Sequence, residues 1–358
     1  MKIKLIFSLT LLSIFSLNAQ NWQLVWEDNF DGSVLDSTKW EHEYGTGAQY
    51  GMWGWGNGEL QHYQSQNTTL SNGIAKIEVK EEPGGITESY WNQTSYYSSS
   101  KITTKGKFDF RYGKVEARIK TIDGQGFWPA FWMLPTNGSW PCDGEIDIME
   151  QWGNPYLTNS TSGAAHIGTC PYSSSTHFYE TSSKYISTGS YADNFHTFSI
   201  IWNEDIITWY VDETELFSLN PSSFWSIPTQ SAWPFNSNEW YLMINLAITS
   251  SGPDANTVFP NQIEIDYVRV YQDNPTNSSF IDIKNKFLVY PMPANDVITI
   301  EGKDIKNIKV FNIHGDIVLS KNLNNNKKVD VSILNKGMYL IELENYLGFK
   351  INKKVIIN

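Results

Sequence analysis

One stretch, Gly144–Glu150 with the sequence GEIDIME, decides both the fold and the chemistry that this chain can perform. Glu145 and Asp147 lie two residues apart and therefore share one face of a β-strand, whereas the two isoleucines fall on the opposite face. Glu150 has the wrong parity for the acidic face. One extra residue, most simply Met149 in a β-bulge, restores that parity, and bulges are enriched beside active sites. The stretch therefore predicts a β-strand that presents three carboxylates in one row.

Three carboxylates in one row repel one another, so at least one of them should have a raised pKa and stay protonated near neutral pH. A catalytic acid/base pair needs such a group. A solvated acidic strand face is the alternative. A metal site is a further alternative, because hard cations also take oxygen ligands, but a divalent ion would suppress the proton of an acid catalyst.

The residues that flank the row favour a sugar-binding cleft. The row follows the aromatic segment Gly126–Pro135 and precedes Trp152. Pyranose rings stack their C–H faces on indole while their hydroxyls bond to carboxylates and amides. Trp128 and Trp132 are therefore candidate stacking platforms, and burial in the core is the alternative for each of them.

The rest of the main domain also has the pattern of β-strands. Its apolar residues alternate with period two or are β-branched throughout, and clusters of Gly, Asn, Ser and Pro separate the runs. No long stretch has a 3.6-residue apolar period. We therefore predict an all-β fold, an antiparallel sandwich of about 230–250 residues. The clearest runs are Ile74–Lys80, Lys114–Lys120, Phe195–Trp202 and Ile263–Tyr271.

Tryptophan and charge divide the chain in two. All 15 Trp lie between Trp22 and Trp240. Residues 20–279 carry 12 Lys and Arg, of which three are Arg, against 30 Asp and Glu, a net charge of −18. Residues 280–358 carry 12 Lys and 8 acids, a net charge of +4. The acidic part is excluded as a nucleic-acid-binding domain, because phosphate contacts need Arg and Lys.

The N-terminal residues 1–19 have the pattern of a secretory signal peptide. Lys2 and Lys4 precede the apolar run Leu5–Leu17, which is too short to span a bilayer. A membrane anchor is the alternative. The mature protein should work outside the cytoplasm, where Cys142 and Cys170 could form a disulfide. Two separate thiols are the alternative, because a sequence does not show whether two Cα atoms approach.

The acidic stretch resembles the Glu-x-Asp-x-x-Glu active-site strand of glycoside hydrolase family 16, in the bulged form of laminarinases, agarases and carrageenases. Further blocks resemble those of laminarinases, in the same order, over residues 21–272. These blocks are Trp26–Phe30, Leu35–Trp40, Trp55–Gln61, Val115–Lys120, Trp128–Leu134 and Glu264–Tyr271.

The resemblance implies a jelly-roll β-sandwich with a concave substrate cleft and a retaining endo-hydrolase. It makes Glu145 the nucleophile and Glu150 the general acid/base. Asp147 would be the carboxylate between them that positions the nucleophile and tunes its ionisation. No cofactor for catalysis is implied.

The resemblance also assigns residues along the cleft. Asn57 and Glu59 resemble polar groups of the negative subsites, with Trp55 beside them, although the glycine-rich segment before Asn57 departs from the usual laminarinase sequence. Arg118 resembles a cleft residue, and a cross-strand ion pair is its alternative. His166 resembles the histidine near the leaving-group side, and a structural histidine is its alternative.

Structural calcium is implied at a different place. Asp266 resembles the carboxylate that holds calcium in many relatives, together with backbone oxygens around Glu27 and Gly73. A strand-end acid is the alternative.

The substrate class follows from charge and pattern together. Sulfated galactans need cations to receive sulfate, and the acidic domain holds three Arg. The pattern of the aromatic segment and the acidic stretch favours an endo-1,3-β-glucanase acting on laminarin-like or mixed-linkage β-glucan. Hydrolysis of agarose, porphyran or carrageenan and a non-catalytic glycan-binding module are the alternatives.

The tail resembles the C-terminal sorting domain of the type IX secretion system in Bacteroidetes, through Val289–Asp296, Gly337–Ile341 and Lys353–Val355. Met292 stands where Asn is usual. A carbohydrate-binding module is the alternative, although such modules normally keep exposed aromatic residues and this tail has no Trp. The predicted organisation is a signal peptide (1–19), a catalytic domain (20–272), a linker (273–286) and a small β-sandwich-like sorting domain (287–358). We expect a monomer that the type IX machinery secretes or attaches to the cell surface.

Overall fold

The computed structural model describes residues 22–153, 159–224, 233–273, 288–301, 305–313, 315–323, 327–345 and 350–357. Gln23–Gln272 form one compact unit, and Asp273–Asn358 belong to a second. The predicted signal peptide and the predicted linker beyond Asp273 lie outside the described residues. Within the described ranges, no helix is long and apolar enough to cross a membrane.

The described residues fold almost entirely into β-strands, as the period-two pattern predicts. Their helical segments are short 3₁₀ turns at Ala48–Tyr50, Trp53–Gly56, Ser65–Asn67, Pro221–Phe224 and Pro234–Asn236. The strands are β1 (Trp22–Asp28), β2 (Glu41–Glu43), β3 (Gln61–Tyr63), β4 (Thr68–Ser71), β5 (Ile74–Thr87), β6 (Thr94–Ser99), β7 (Lys101–Thr103), β8 (Gly113–Lys120), β9 (Phe127–Pro135), β10 (Glu145–Glu150), β11 (Ser160–Ile167), β12 (Phe178–Tyr185), β13 (His196–Trp202), β14 (Ile207–Val211), β15 (Thr214–Leu219), β16 (Trp240–Ile248), β17 (Asn261–Asp273), β18 (Leu288–Tyr290), β19 (Val297–Glu301), β20 (Ile305–Phe311), β21 (Ile317–Asn322), β22 (Lys328–Asp330), β23 (Gly337–Asn345) and β24 (Lys350–Ile357).

The first unit is a sandwich of two sheets. A ten-stranded sheet has the order β15-β14-β13-β8-β17-β5-β6-β3, with β1 beside β17 and β4 beside β5. A seven-stranded sheet has the order β12-β11-β10-β9-β16-β7-β2. Buried apolar side chains from both sheets form one core between them. The predicted all-β sandwich is therefore confirmed.

The acidic strand lies in the middle of the seven-stranded sheet, where β9 and β11 flank it. Alternate side chains of these strands face the core, and Ile146, Phe131 and Met133 are fully buried there. Side chains of the opposite parity point away from the core. We call this second surface of the seven-stranded sheet the cleft face.

Strand β10 contains the predicted bulge, but one residue earlier than expected. On the β9 side, Asp147 and Met149 pair with consecutive residues, so Ile148 between them has no partner in this fully described strand. On the β11 side, neither Ile148 nor Met149 is paired. The extra residue is therefore Ile148, not Met149 as predicted. Both side chains still face the core, and Glu150 returns to the cleft face.

A disulfide joins two loops at one end of the acidic strand. Cys142 precedes β10 and Cys170 follows β11, and their Cα atoms lie 5.5 Å apart. The bond connects the loop that leads into the acidic strand with the turn between β11 and β12.

The second unit is a small sandwich of its own. It has a three-stranded sheet with the order β18-β19-β22 and a four-stranded sheet with the order β21-β20-β23-β24. Ile298, Ile308, Val329 and Ile341 are fully buried in its core. The predicted small C-terminal β-sandwich is therefore confirmed.

Candidate active site

The predicted acidic row lies on the cleft face of β10. Glu145 and Glu150 are partly exposed, and Asp147 between them is 4% exposed. Asp147 lies opposite Trp132 of β9, and Glu145 lies opposite His166 of β11. Three adjacent strands thus contribute to one site.

Burial raises the pKa of all three carboxyls, because the surrounding protein removes most of the water that would stabilise their charged forms. The charge of Asp147 adds to the rise at both glutamates. The pKa of Asp147 is raised to about 7 and that of Glu150 to about 8. The pKa of Glu145 is raised well above its usual range. These shifts agree in direction with the prediction that the row keeps at least one acid protonated near neutral pH, and desolvation is their largest cause.

His166 adds a fourth titratable group to the row. Its Nε2 lies 3.1 Å from Oδ2 of Asp147, without the alignment of a hydrogen bond. Its Nδ1 lies 2.9 Å from Nε2 of His177. The charge of His166 opposes burial by lowering the pKa of both glutamates. The side chains of Glu145, Asp147 and His166 have ligand atoms within 4.8 Å of one another, but a cation held there would occupy the oxygens that acid/base chemistry needs.

Both tryptophans that were predicted to stack on substrate lie on the cleft face and are partly exposed. Trp128 donates a hydrogen bond from Nε1 to Oε1 of Glu150 at 3.0 Å. Its ring stacks on Trp152 with the ring centroids 4.3 Å apart. Trp132 donates from Nε1 to Oδ1 of Asn245 at 2.7 Å. Neither indole is part of the core.

The segment before β3 carries the two polar residues that were predicted for the negative subsites. Asn57 is exposed, whereas Glu59 is 6% exposed. The carboxylate of Glu59 accepts hydrogen bonds from Asn57 at 3.3 Å, Gln61 at 2.7 Å and Tyr63 at 3.0 Å. These hydrogen bonds order the segment that presents Asn57, and substrate binding by Glu59 stays a prediction.

Trp55 belongs to a cluster around one lysine. Its side chain is 9% exposed, and Nζ of Lys101 lies 4.2 Å from its ring centroid and 5.0 Å from that of Trp132. Lys101 also pairs with Glu43 at 2.8 Å. Trp55 thus anchors the segment beside Trp132 and presents little surface of its own.

Arg118 does not reach the cleft face. On β8 its neighbours Ala117 and Ile119 are fully buried, so the side chain of Arg118 points to the outer face of the ten-stranded sheet. There it forms an ion pair with Asp266, and its guanidinium carbon lies 4.7 Å from the ring centroid of Phe195. The expected cleft role is corrected to the alternative, a cross-strand ion pair.

The residues that were predicted to hold calcium are Asp266, Glu27 and Gly73. The carboxylate of Asp266 is paired with Arg118. The backbone oxygen of Glu27 accepts a hydrogen bond from Nζ of Lys39 at 2.7 Å. Gly73 occupies a turn with φ +72°. Two cationic side chains thus lie at acceptors that a calcium ion would use, and the calcium site stays a prediction.

Several residues that support the row were not predicted from the sequence. Trp209 of the ten-stranded sheet donates from Nε1 to the backbone oxygen of Asp147 at 2.8 Å. Asn245 of β16 donates to the hydroxyl of Tyr63 at 3.1 Å and so links Trp132 to the Glu59 cluster. No local motif marks these residues, because only the strand order brings them together. His177 could have been predicted from the sequence, because it is a second histidine across the turn from His166.

Each of the two units matches a known protein family. Residues 52–269 match the family model described as glycosyl hydrolases family 16. Residues 288–358 match a secretion system C-terminal sorting domain, which marks the chain for type IX export as a secreted or surface-attached protein. The predicted sorting domain is therefore confirmed.

The relatives include a glucan endo-1,3-beta-glucosidase A1 of Niallia circulans, 36% identical over 269 residues, which are 70% of this chain and 38% of that protein. A beta-glucanase of Rhodothermus marinus is 34% identical over 275 residues, covering 71% of this chain and 86% of that protein. The laminarinase catalytic domain of Thermotoga maritima MSB8 superimposes with a TM-score of 0.64 at 37% identity, covering 71% of this chain and 99% of that domain. These matches confirm the expected jelly-roll architecture, and the chain belongs to glycosyl hydrolase family 16.

Proposed function

We propose that this protein is an endo-acting glycosidase that cleaves β-1,3-glucan, laminarin-like or mixed-linkage, with retention of configuration. The observation that carries the proposal is the row of Glu145, Asp147 and Glu150 on the cleft face, with a protonated acid at neutral pH. The names of the similar glucanases support the substrate class.

In the first step, the carboxylate of Glu145 attacks the anomeric carbon while Glu150 gives its proton to the glycosidic oxygen, which leaves as a hydroxyl. A pKa of about 8 keeps Glu150 protonated for this step. Asp147 has a pKa of about 7 and is hydrogen-bonded to Glu145. Through this contact Asp147 positions the nucleophile and tunes its ionisation.

In the second step, the ionised Glu150 takes a proton from water, whose oxygen attacks the anomeric carbon and releases Glu145. The indole N–H of Trp128 donates to Glu150 and stabilises this charged form. His166 lies beside Asp147 and offsets the negative charge that accumulates in the row.

A neutral glucan suits the charges around the cleft face. Lys101, which lies over the ring of Trp132, is already paired with Glu43. Arg118 is paired with Asp266 on the other sheet. Sulfate groups would therefore find neither of these cations free to receive them.

Parallel assays of reducing-sugar release from laminarin, agarose and carrageenan test the substrate. We expect release from laminarin, and its absence would refute the choice. Proton NMR of the first product should show the β-anomer, as retention requires.

Substitution Glu145→Gln separates catalysis from binding. We expect turnover to fall by about a thousandfold or more, because the nucleophile is lost, and binding of laminari-oligosaccharides by calorimetry to persist. Turnover close to wild type would mean that Glu145 is not the nucleophile. We further propose that the exported protein acts as a monomer, which light scattering after gel filtration tests.

A further inference from the structure

Four rings form an exposed aromatic surface at one end of the seven-stranded sheet. They belong to Trp140, Tyr172, His177 and Tyr179, and we call them the aromatic ledge. Trp140 is 41%, Tyr172 53% and Tyr179 57% exposed. The centroid of Trp140 lies 5.0 Å from that of Tyr172 and 4.9 Å from that of His177, which lies 6.1 Å from that of Tyr179. Clustered exposed aromatic rings mark a binding surface more often than scattered ones do.

The aromatic ledge is continuous with the acidic row. Glu145 pairs in register with His166, and His166 pairs with Tyr179, so all three side chains lie on the cleft face. The ring of His166 stacks on Tyr179 with a centroid distance of 5.3 Å and on His177 at 5.1 Å. A continuous series of side-chain contacts therefore joins the catalytic acids to the aromatic ledge.

The ledge lies on the opposite side of the row from the Asn57 segment. In the seven-stranded sheet, β12 and β11 lie to one side of β10, whereas β7 and β2 lie beyond β9 on the other. Lys101 of β7 contacts Trp55, and this places the Asn57 segment on that second side. A polysaccharide that reaches both surfaces must therefore cross the acidic row.

The disulfide fixes the ledge. Cys142 follows Trp140 by two residues, and Tyr172 follows Cys170 by two. The bond therefore ties together the two loops that carry the outer rings. Rings that are already ordered lose less conformational entropy when a ligand stacks on them.

We infer that the aromatic ledge binds the glucosyl units on the leaving-group side of the cleaved bond and that the Cys142–Cys170 disulfide holds it in its binding shape. The ligand class is a neutral β-linked oligosaccharide, because stacking on rings recognises its C–H faces. This inference rests on the proposed function. It extends the site beyond His166 to rings that lie outside the catalytic strand.

The test measures KM and kcat for Trp140→Ala and Tyr172→Ala on a series of laminari-oligosaccharides of increasing length. An aromatic contact is worth about 0.5–1.5 kcal/mol, which corresponds to a change of about two- to twelvefold in affinity. We expect KM to rise by about that factor on oligosaccharides long enough to reach the ledge. The shortest substrates that are cleaved should be unaffected, and kcat should stay within about twofold of wild type.

Tyr96→Ala is the matched control, since Tyr96 is 59% exposed on β6 of the other sheet. We expect it to leave KM unchanged at every length. Unchanged KM in the Trp140 and Tyr172 variants, or an equal loss at all lengths, would overturn the inference. A ledge that served a protein partner would give the first of these outcomes.

The disulfide is tested with the double variant Cys142→Ser/Cys170→Ser, which should reproduce the length-dependent loss of the ring variants. If that variant fails to fold, reduction of the wild-type protein under native conditions replaces it. Calorimetric binding of long and short oligosaccharides to Glu145→Gln variants of each protein repeats the comparison without turnover. Wild-type protein that cleaves no laminarin would refute the proposed function, whereas active protein with an inert ledge would refute only this inference.

Discussion

The charge of Asp147 should set the alkaline limit of activity, and Asp147→Asn measures it. Two net strand steps of about 3.3 Å separate Asp147 from Glu150 across the bulge, a distance of about 6.6 Å. At an effective dielectric constant of about 20, the repulsion is about 2.5 kcal/mol, or about 1.8 pKa units. Because Glu150 is partly exposed, solvent screening reduces this to about one unit.

The sign follows from the role of Glu150 as the acid. Activity requires the protonated form, so kcat/KM should fall as pH rises through the pKa of Glu150, about 8 in the wild type. At that pH Asp147, with a pKa of about 7, is ionised. Without this charge, the pKa of Glu150 falls, and the alkaline limb should move to about pH 7.

The assay is the pH profile of kcat/KM on laminarin between about pH 4 and 10. Asp143→Asn is the matched control, since Asp143 carries the same charge in the preceding loop, where it accepts a hydrogen bond from the backbone N–H of Ser139 at 2.8 Å. The control should leave the limb near pH 8. An alkaline limb in Asp147→Asn that stays in place or moves upward would refute the electrostatic reasoning.

Two further predictions address the acid and the tail. Trp128→Phe removes a hydrogen bond that favours the charged form of Glu150, so the alkaline limb should move up by about half to one pH unit while kcat falls; a limb that moves down would contradict the contact. Deletion of residues 287–358 should leave laminarin hydrolysis intact in cell extracts but abolish export, as fractionation of the producing cells would show; normal export would contradict the sorting role.

The chemistry of the row could be predicted from sequence because it is local. Glu145, Asp147 and Glu150 lie on one strand, so parity and one bulge determine their common face. The sequence alone does not show which residue of the bulge lacks a pairing partner, because Ile148 and Met149 are both apolar and both face the core. Only the pairing with β9 distinguishes them.

The prediction for Arg118 was wrong because the partner of this residue is distant in sequence. Arg118 has a family-like sequence context, but the parity of β8 directs it to Asp266, 148 residues away. The burial of Glu59 is more local, since its donors Gln61 and Tyr63 follow it by two and four residues. The strand order determined the partner of Arg118, and no short motif encodes that order.

A buried tryptophan connects the core to the catalytic strand. Trp209 is fully buried in the core, and its Nε1 donates to the backbone oxygen of Asp147 at 2.8 Å, next to the unpaired Ile148. A bulge disrupts the regular hydrogen bonds of its strand. The indole therefore supplies, from the second sheet, a hydrogen bond that fixes the strand where the acids change register.

Trp209→Phe should cost both stability and catalysis. Leaving one buried carbonyl unsatisfied costs about 1–3 kcal/mol, which lowers Tm by about 2–12 °C for a domain of this size.

Trp202→Phe is the matched control, because Trp202 is equally buried and donates to the backbone oxygen of Phe235 at 2.9 Å, away from the acids. Calorimetry should show similar losses of Tm in both variants. Only Trp209→Phe should lower kcat on laminarin, by about tenfold or more, since a small displacement of the acids is costly. Equal kcat values in the two variants would contradict the role of Trp209 in positioning the acids.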